Sequence, residues 1–261
     1  MAVAQVNGID IRYEDSGGDG PPVLFSHGFL MNHTMFDAQV EALADRYRCI
    51  RWDERGFGET QATGPFTYWD SAADAVGLLD HLGVDEAVFV GMSQGGFLSM
   101  RAALAHPDRV RAIALIDSSA DLDDDEFNDG NQAMLHVLET GTEEEKMGVW
   151  QIVAGMILGD ETLAAEWIPK WVGIDLEQLG HAGDTLLGRD DIFGRLGEIS
   201  CPVLSIHGTA DAAISMDRAV ALAAAIPDSR GLVEVAGAAH APNMTHPDVV
   251  NAALADFLGS L

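Results

Sequence analysis

The chain has 261 residues, 48% of them hydrophobic, which is enough to bury one large α/β core with an insertion. Its net charge of −28 argues against binding to nucleic acid or to anionic membranes, because both need basic patches. No apolar run approaches the length of a membrane span, and no basic region followed by an apolar one opens the chain. We therefore expect a soluble, cytoplasmic protein.

Short apolar runs alternate with helical patterns along most of the chain, which begins with a predicted β-hairpin around Asn7 and Gly8. The further predicted strands are Val23–Ser26, Cys49–Trp52, Ala87–Val90, Ile113–Ile116, Val203–Ile206 and Leu232–Val235, and helices are predicted near 34–46, 68–82, after Ser93, 216–225 and 247–258. This alternation is typical of βαβ units. It predicts a mostly parallel central sheet flanked by helices, with ligands bound beyond the carboxyl ends of the strands.

Residues 119–195 interrupt this alternation and contain several helical patterns without strong strands. They predict an α-helical cap over the strand ends, inserted into a core formed by residues 1–118 and 196–261. Most tryptophans and methionines of the insertion are expected to pack inside it, and a minority to face a substrate.

The acidic run at 121–126 has aspartates at the first three spacings of a calcium-binding EF-hand loop. That loop also needs glycine at its sixth position and glutamate at its twelfth, where this chain has Glu126 and Gln132. We therefore expect a solvated loop or a helix start. The sequence predicts no metal site and no cofactor, since it also lacks Cys-x-x-Cys and His-Glu-x-x-His motifs.

Cys49 and Cys201, in or beside predicted buried strands, are expected to be reduced core residues.

Ser93 follows a predicted strand in the run Gly-Met-Ser-Gln-Gly at 91–95. Gly-x-Ser-x-Gly between a strand and a helix is the pattern of a nucleophile elbow, a sharp turn that lifts the serine oxygen out of the sheet. Ser93 is therefore the candidate nucleophile. A serine hydroxyl also needs a base, an acid that orients the base, and donors that hold the oxyanion.

The candidate base is His240, which lies in the loop after the last predicted strand. On this kind of fold the acid precedes the histidine in the chain and follows the serine. Asp211 follows the penultimate predicted strand and Asp117 ends the strand at 113–116, so both fit this order. The turn at 207–210 favours Asp211 as the acid, with Asp117 as the alternative. The candidate oxyanion donors are the backbone N–H groups of Gln94, at a helix N-terminus, and of Phe29.

Together these runs resemble the signature set of the α/β-hydrolase superfamily. The resemblance rests on His-Gly-Phe at 27–29, Trp-Asp-Glu-Arg-Gly-Phe-Gly at 52–58, the serine motif at 91–95, Asp211, and Gly-Ala-Ala-His at 237–240. It implies an α/β-hydrolase fold over nearly the whole chain, a helical cap and a Ser-His-Asp triad. By the same similarity, Asp53 and Arg55 would form a structural ion pair and a turn.

Ser93 argues against the dehalogenase and epoxide-hydrolase branches of that superfamily, which use aspartate at this position. The resemblance implies a serine esterase or lactonase that cleaves a small-molecule carboxylic ester or lactone without a cofactor. One alternative is a cofactor-free perhydrolase or haloperoxidase with the same triad, although Phe29 and Gln94 stand where those relatives usually carry tryptophan and methionine. The other is a non-catalytic ligand-binding protein of the same fold.

Leu30, Met92, Trp150 and Trp167 are candidates for an apolar substrate pocket, with ordinary packing as the alternative for each of them. Asn32 and His33 could add polar contacts from the same loop as Leu30. The acyl and alcohol groups of the substrate stay open at this point, and so does the oligomeric state, a homo-oligomer included.

Overall fold

A computed structural model describes residues 1–261. Its strands are β1 (Ala2–Val6), β2 (Ile9–Asp15), β3 (Pro22–Ser26), β4 (Arg48–Trp52), β5 (Ala87–Met92), β6 (Val110–Ile116), β7 (Val203–Gly208) and β8 (Ser229–Val235). They form one sheet in the order β1-β2-β4-β3-β5-β6-β7-β8. The pairs β1–β2 and β2–β4 are antiparallel and all others are parallel, so the prediction of a mostly parallel sheet is confirmed.

The helices flank this sheet and connect its parallel strands. They are α1 (Asp37–Leu43), α2 (Tyr68–His81), α3 (Gln94–Ala105), α4 (Asp125–Thr140), α5 (Glu143–Ile157), α6 (Glu161–Val172), α7 (Leu176–Leu187), α8 (Met216–Ala225), α9 (Pro242–Thr245) and α10 (Pro247–Gly259). Short 3-10 helices cover His33–Phe36, Pro107–Arg109 and Phe193–Glu198. None of these helices has both the length and the apolar character that crossing a membrane requires.

The strands form where continuous apolar runs can be buried on both faces. Every residue of β5 and β7 is buried, as expected for central strands of a parallel sheet covered by helices. Successive side chains point to opposite faces, so Val88 and Val90 belong to one hydrophobic cluster and Phe89 to another. These two clusters, one on each side of the sheet, carry most of the core.

Local sequence explains the edges of the fold. The β1–β2 turn has Asn7 and Gly8 at positive φ of 47° and 82°, which confirms the predicted hairpin. The helix predicted near 34–46 is divided, because the Asn32 side chain accepts a hydrogen bond from the Thr34 N–H and starts a separate 3-10 turn. Cys49 and Cys201 are buried and free, as expected.

Four helices, α4 to α7, lie between β6 and β7, and no strand interrupts them. The expected helix start within the acidic run at 121–126 is confirmed, because α4 begins at Asp125, but the run is not solvated throughout. Asp124 caps α4 by accepting from the Phe127 N–H, but the side chain of Asp123 is only 8% exposed and pairs with Arg189 and Arg218. The acidic run is thus tied to the core by ion pairs rather than left in solvent as a whole.

Candidate active site

Ser93 occupies the single residue between β5 and α3, with φ of 51° and ψ of −115°. A positive φ is strained for a residue with a side chain, and it persists only where neighbours enforce it. Here the Ser93 N–H donates to the carbonyl of Ile116 on β6 at 2.8 Å, and its own carbonyl accepts from the Ser118 hydroxyl at 2.9 Å. The residue is 8% exposed and lines a cavity described below.

The two glycines around Ser93 are required by close backbone contacts. A Cβ added to Gly91 would overlap the carbonyl of Gly95, and a Cβ added to Gly95 would overlap the carbonyl of Ser26 at the end of β3. Neither obstacle is a side chain that could move aside. The Gly-x-Ser-x-Gly spacing therefore lets the N-terminus of α3 sit directly against the end of the neighbouring strand.

His240 and Asp211 come together from the loops after β8 and β7. The His240 Nδ1–H donates to Asp211 Oδ2 at 2.8 Å, since a carboxylate can only accept. This tautomer leaves His240 Nε2 unprotonated, as a general base requires. Burial raises the pKa of Asp211, but its electrostatic interaction with His240 and the hydrogen bonds that it accepts from His240 and the Ile214 N–H together hold this pKa below its usual value.

The alternative acid, Asp117, reaches the same place. It follows β6 with a positive φ of 44°, and its Oδ1 accepts from the Gly208 N–H at 2.9 Å. One carboxylate oxygen of each aspartate and one ring nitrogen of His240 lie within 4.8 Å of one another. Only Asp211 is hydrogen-bonded to His240.

The loop that carries Phe29 is fixed from beneath by a buried histidine. His27 Nδ1–H donates to the Gly28 carbonyl at 2.8 Å, and His27 Nε2 accepts from the Glu54 N–H at 2.9 Å. Because a peptide unit is planar and trans, fixing the Gly28 carbonyl directs the Phe29 N–H the opposite way. Burial lowers the pKa of His27 to about 4, so the ring is neutral and keeps this pattern at neutral pH.

Gln94 is the first residue of α3, and its N–H has no acceptor within the helix. Its side chain is held aside, because Gln94 Nε2 donates to Glu54 at 2.8 Å and Gln94 Oε1 accepts from the Tyr68 hydroxyl at 3.3 Å. Burial raises the pKa of Glu54 well above its usual value. The sequence predictions missed His27, Glu54 and Tyr68 as supports of the two donors, because nothing in the spacing of these residues connects them.

Ser93 and His240 line one cavity of about 100 Å³, and 14 of its 18 lining residues are hydrophobic. The loops and α3 contribute Phe29, Leu30, Phe97 and Ile214, and the helices α4, α5 and α7 contribute most of the remainder. The face of α4 that enters the cavity carries Phe127, Asn131, Met134, Leu135 and Leu138. Their i, i+4, i+7, i+8, i+11 spacing is the sequence signal that could have identified them.

Of the four predicted pocket residues, the structure places only Leu30 on this cavity. The Met92 side chain lies beneath the Gly28 backbone, so close that a Cβ there would overlap its sulfur. Trp150 packs on Trp171 with ring centroids 6.0 Å apart, and Lys170 Nζ lies 3.9 Å from the Trp167 ring centre. Trp150 thus packs within the helical insertion, whereas Trp167 lines a separate cavity between the insertion and the loops that carry Met31 and Asp53.

The expected ion pair between Asp53 and Arg55 does not form. Asp53 accepts from His33 Nδ1 at 2.6 Å and from the Glu59 N–H at 2.8 Å. Arg55 instead makes two hydrogen bonds of 2.8 Å to Asp74 on α2. Two residues apart in an irregular loop, the side chains point to different neighbours. The His33 side chain is thus hydrogen-bonded to Asp53 and does not line the cavity that contains Ser93.

Comparison with known proteins agrees with this architecture. The family model described as the alpha/beta hydrolase fold matches residues 21–161, and the chain belongs to that family. A protein of Azorhizobium caulinodans, provisionally named a carbamate hydrolase, is 30% identical over 270 residues, which cover 100% of this chain and 99% of the relative.

Two solved structures are also similar over nearly their full lengths. A thermophilic esterase from Thermogutta terrifontis has a TM-score of 0.88 and 29% identity, covering 99% of this chain and 98% of that one. The enol-lactonase from Burkholderia xenovorans LB400 has a TM-score of 0.89 and 27% identity, covering 99% and 100%.

Replacing Gly95 by alanine tests the steric basis of the elbow. We expect Gly95→Ala to lower the free energy of unfolding by about 1–3 kcal/mol, because the new methyl group meets backbone atoms. The matched control is Gly148→Ala in α5, where nothing lies within 4 Å of an added Cβ. That change should raise stability by up to about 1 kcal/mol through helix propensity. Equal effects in urea denaturation would contradict the steric explanation.

The neutral state of His27 predicts a pH-dependent stability. The unfolded chain binds a proton at His27 below about pH 6.5, whereas the folded protein does so only near pH 4. The free energy of unfolding should therefore fall as the pH decreases through this window, by about 3 kcal/mol from this group. Chemical denaturation of His27→Asn at several pH values in this window should show a free energy of unfolding that depends less on pH than that of the wild type. A variant with the slope of the wild type would refute the assignment.

Proposed function

We propose that the chain is a serine hydrolase that cleaves carboxylic esters or lactones through an acyl-enzyme on Ser93. The observation that carries this proposal is the shared cavity: a strained serine and a histidine oriented by a buried aspartate lie on the wall of one apolar pocket. The esterase and the enol-lactonase, similar to this chain over almost its whole length, support the same class of reaction.

The reaction follows from these groups. Ser93 Oγ attacks the carbonyl carbon while His240 Nε2 takes its proton, and the Phe29 and Gln94 N–H groups stabilise the oxyanion. The C–O bond then breaks, and His240 returns the proton to the leaving oxygen. A water molecule, deprotonated by His240, attacks the acyl-enzyme and releases the acid and the free serine. Asp211 stays ionised and stabilises the histidine cation in both halves.

The cavity favours an uncharged, apolar acyl group. Its only charged residue besides the histidine is Asp123, whose carboxylate pairs with Arg189 at 2.7 Å and with Arg218. A carboxylate on the acyl chain would find no free cation there and would lose its hydration. We propose that α4, α5 and α7 act as the lid of this pocket, since each contributes side chains to its wall.

The nucleophile is tested with Ser93→Ala on p-nitrophenyl butyrate. We expect kcat/KM to fall by about 10⁵- to 10⁶-fold, because the covalent step is lost. Ser99→Ala is the matched control, since its hydroxyl bonds the Gly95 carbonyl inside α3 and does not line the cavity. It should keep activity within about threefold.

Two outcomes would contradict the proposal. The first is a wild-type protein inert towards a broad panel of esters and lactones. The second is bromination of an indicator in acetate and peroxide that is much faster than ester cleavage, which would favour the perhydrolase alternative. Covalent labelling of Ser93 by a fluorophosphonate, detected by mass spectrometry, shows whether the serine is reactive. It therefore distinguishes a protein without hydrolase activity from an active one whose substrate was not in the panel.

The acyl preference is tested with a homologous series of p-nitrophenyl esters. From acetate to butyrate, kcat/KM should rise by up to about fourfold per methylene, the value of burying each group. An ester of the same length with a terminal carboxylate should be a far poorer substrate. Rates that are independent of chain length, or that favour the charged acyl group, would show that acyl chains do not bind in this cavity.

A further inference from the structure

A second buried carboxyl group lies beside the proposed triad and takes no part in the mechanism above. Asp117 and Asp211 both have fully buried side chains, and one oxygen of each carboxyl group lies within 4.8 Å of an oxygen of the other. Two ionised carboxylates at this distance, out of contact with water, would repel each other strongly. Such a pair is stable only if a cation lies between them or if one of them keeps its proton.

The hydrogen bonds distinguish the two groups. Asp211 Oδ1 accepts from the N–H groups of Ala213 at 2.8 Å and Ile214 at 3.1 Å, and Oδ2 accepts from His240. Asp117 Oδ1 accepts only from the Gly208 N–H, and no donor reaches Asp117 Oδ2. The environment therefore stabilises a negative charge on Asp211 and leaves one oxygen of Asp117 free to carry a proton.

The charged and titratable neighbours do not compensate a second carboxylate. His207 Nδ1 lies 3.7 Å from Asp117 Oδ1, but its Nε2–H donates to the Ile214 carbonyl at 2.9 Å. The neutral ring then has no proton on Nδ1, and burial lowers the pKa of His207. Arg218, the other nearby cation, is bound by the carboxylates of Asp121 and Asp123. His240 already pairs with Asp211.

We propose that Asp117 is a neutral carboxylic acid that donates a hydrogen bond from Oδ2 to the Asp211 carboxylate and so positions the group that orients His240. Asp117 is thus a positioning residue, and this role rests on the proposed function. Burial, reinforced by the charge of Asp211, raises the pKa of Asp117 well above its usual value, in agreement with this assignment. The arrangement gives Asp211 a further donor without adding a second charge beside the histidine.

Asp117→Asn is the decisive variant, because an amide reproduces both contacts. Its Oδ1 can accept from the Gly208 N–H and its Nδ2 can donate to Asp211. We expect Asp117→Leu, which has no donor for Asp211, to lower kcat by about tenfold, and Asp117→Asn to restore kcat to within about threefold of the wild type, with the acidic limb of the pH profile of kcat/KM in place. Asp211→Asn serves as the contrast, with kcat lowered by roughly 10³- to 10⁴-fold, since an amide in place of the acid holds the wrong histidine tautomer.

An ionised Asp117 would behave differently. Its replacement by asparagine would remove a negative charge beside His240, which would move the acidic limb to lower pH by about one unit or more. A loss of kcat greater for Asp117→Asn than for Asp211→Asn would make Asp117 the triad acid. Either result would overturn the proposal.

Infrared difference spectroscopy tests the proposal without any substrate. At pH 7 the wild type minus Asp117→Asn spectrum should contain the C=O stretch of one protonated carboxylic acid, while buried Glu54 cancels because both proteins contain it. The stability of the two proteins in urea should be similar, because no charge is lost. Absence of the band would refute a neutral Asp117. So would a free energy of unfolding that is much larger for Asp117→Asn than for the wild type, because that rise would show that the substitution removes a buried charge. These readouts decide the question even if no ester is cleaved.

Discussion

The contact between Gly95 and the carbonyl of Ser26 is the constraint on which the site depends. It seats the first turn of α3 against the end of β3, where no side chain would fit. The same approach puts the loop after β3 next to the nucleophile, so Phe29 and Gln94 can offer their N–H groups from two different elements. The strained φ of Ser93 follows from this packing and is held by the hydrogen bond to Ile116.

Buried ionisable groups around the site follow one electrostatic rule: a charge is kept only where partners stabilise it. Asp211 has three hydrogen-bonding partners and a low pKa, whereas burial raises the pKa values of Asp117 and Glu54. His27 is neutral for the same reason and supports the loop that carries Phe29 through its two ring nitrogens. The buried polar groups beneath Ser93 and His240 are therefore nearly free of unpaired charge, and the low dielectric around them strengthens each remaining interaction.

The helical insertion contributes most of the apolar lining of the pocket and none of the three candidate catalytic residues. The faces of α4, α5 and α7 meet above Ser93 and His240 and form an apolar wall. The larger aromatic residues, Trp150 and Trp171, pack on each other within the insertion and fix how the helices lie together. On the proposed function, substrate selection would depend on Phe127 and on the aliphatic and methionine side chains of this wall, while Trp150 and Trp171 pack behind it.

The sequence by itself determined the strands, the sharp turn at Ser93 and the order along the chain of the candidate serine, acid and histidine. These depend on local properties: apolar runs, glycine spacing, and loops that follow strands. The choice between Asp117 and Asp211 needed the tertiary structure, because carboxyl ends of parallel strands converge and bring both carboxyl groups to one place. Only loop conformation decides which of them bonds to His240. The identity of the pocket residues likewise depends on how several helices pack together. Periodicity identifies the apolar face of one helix, but it does not show which faces of different helices meet.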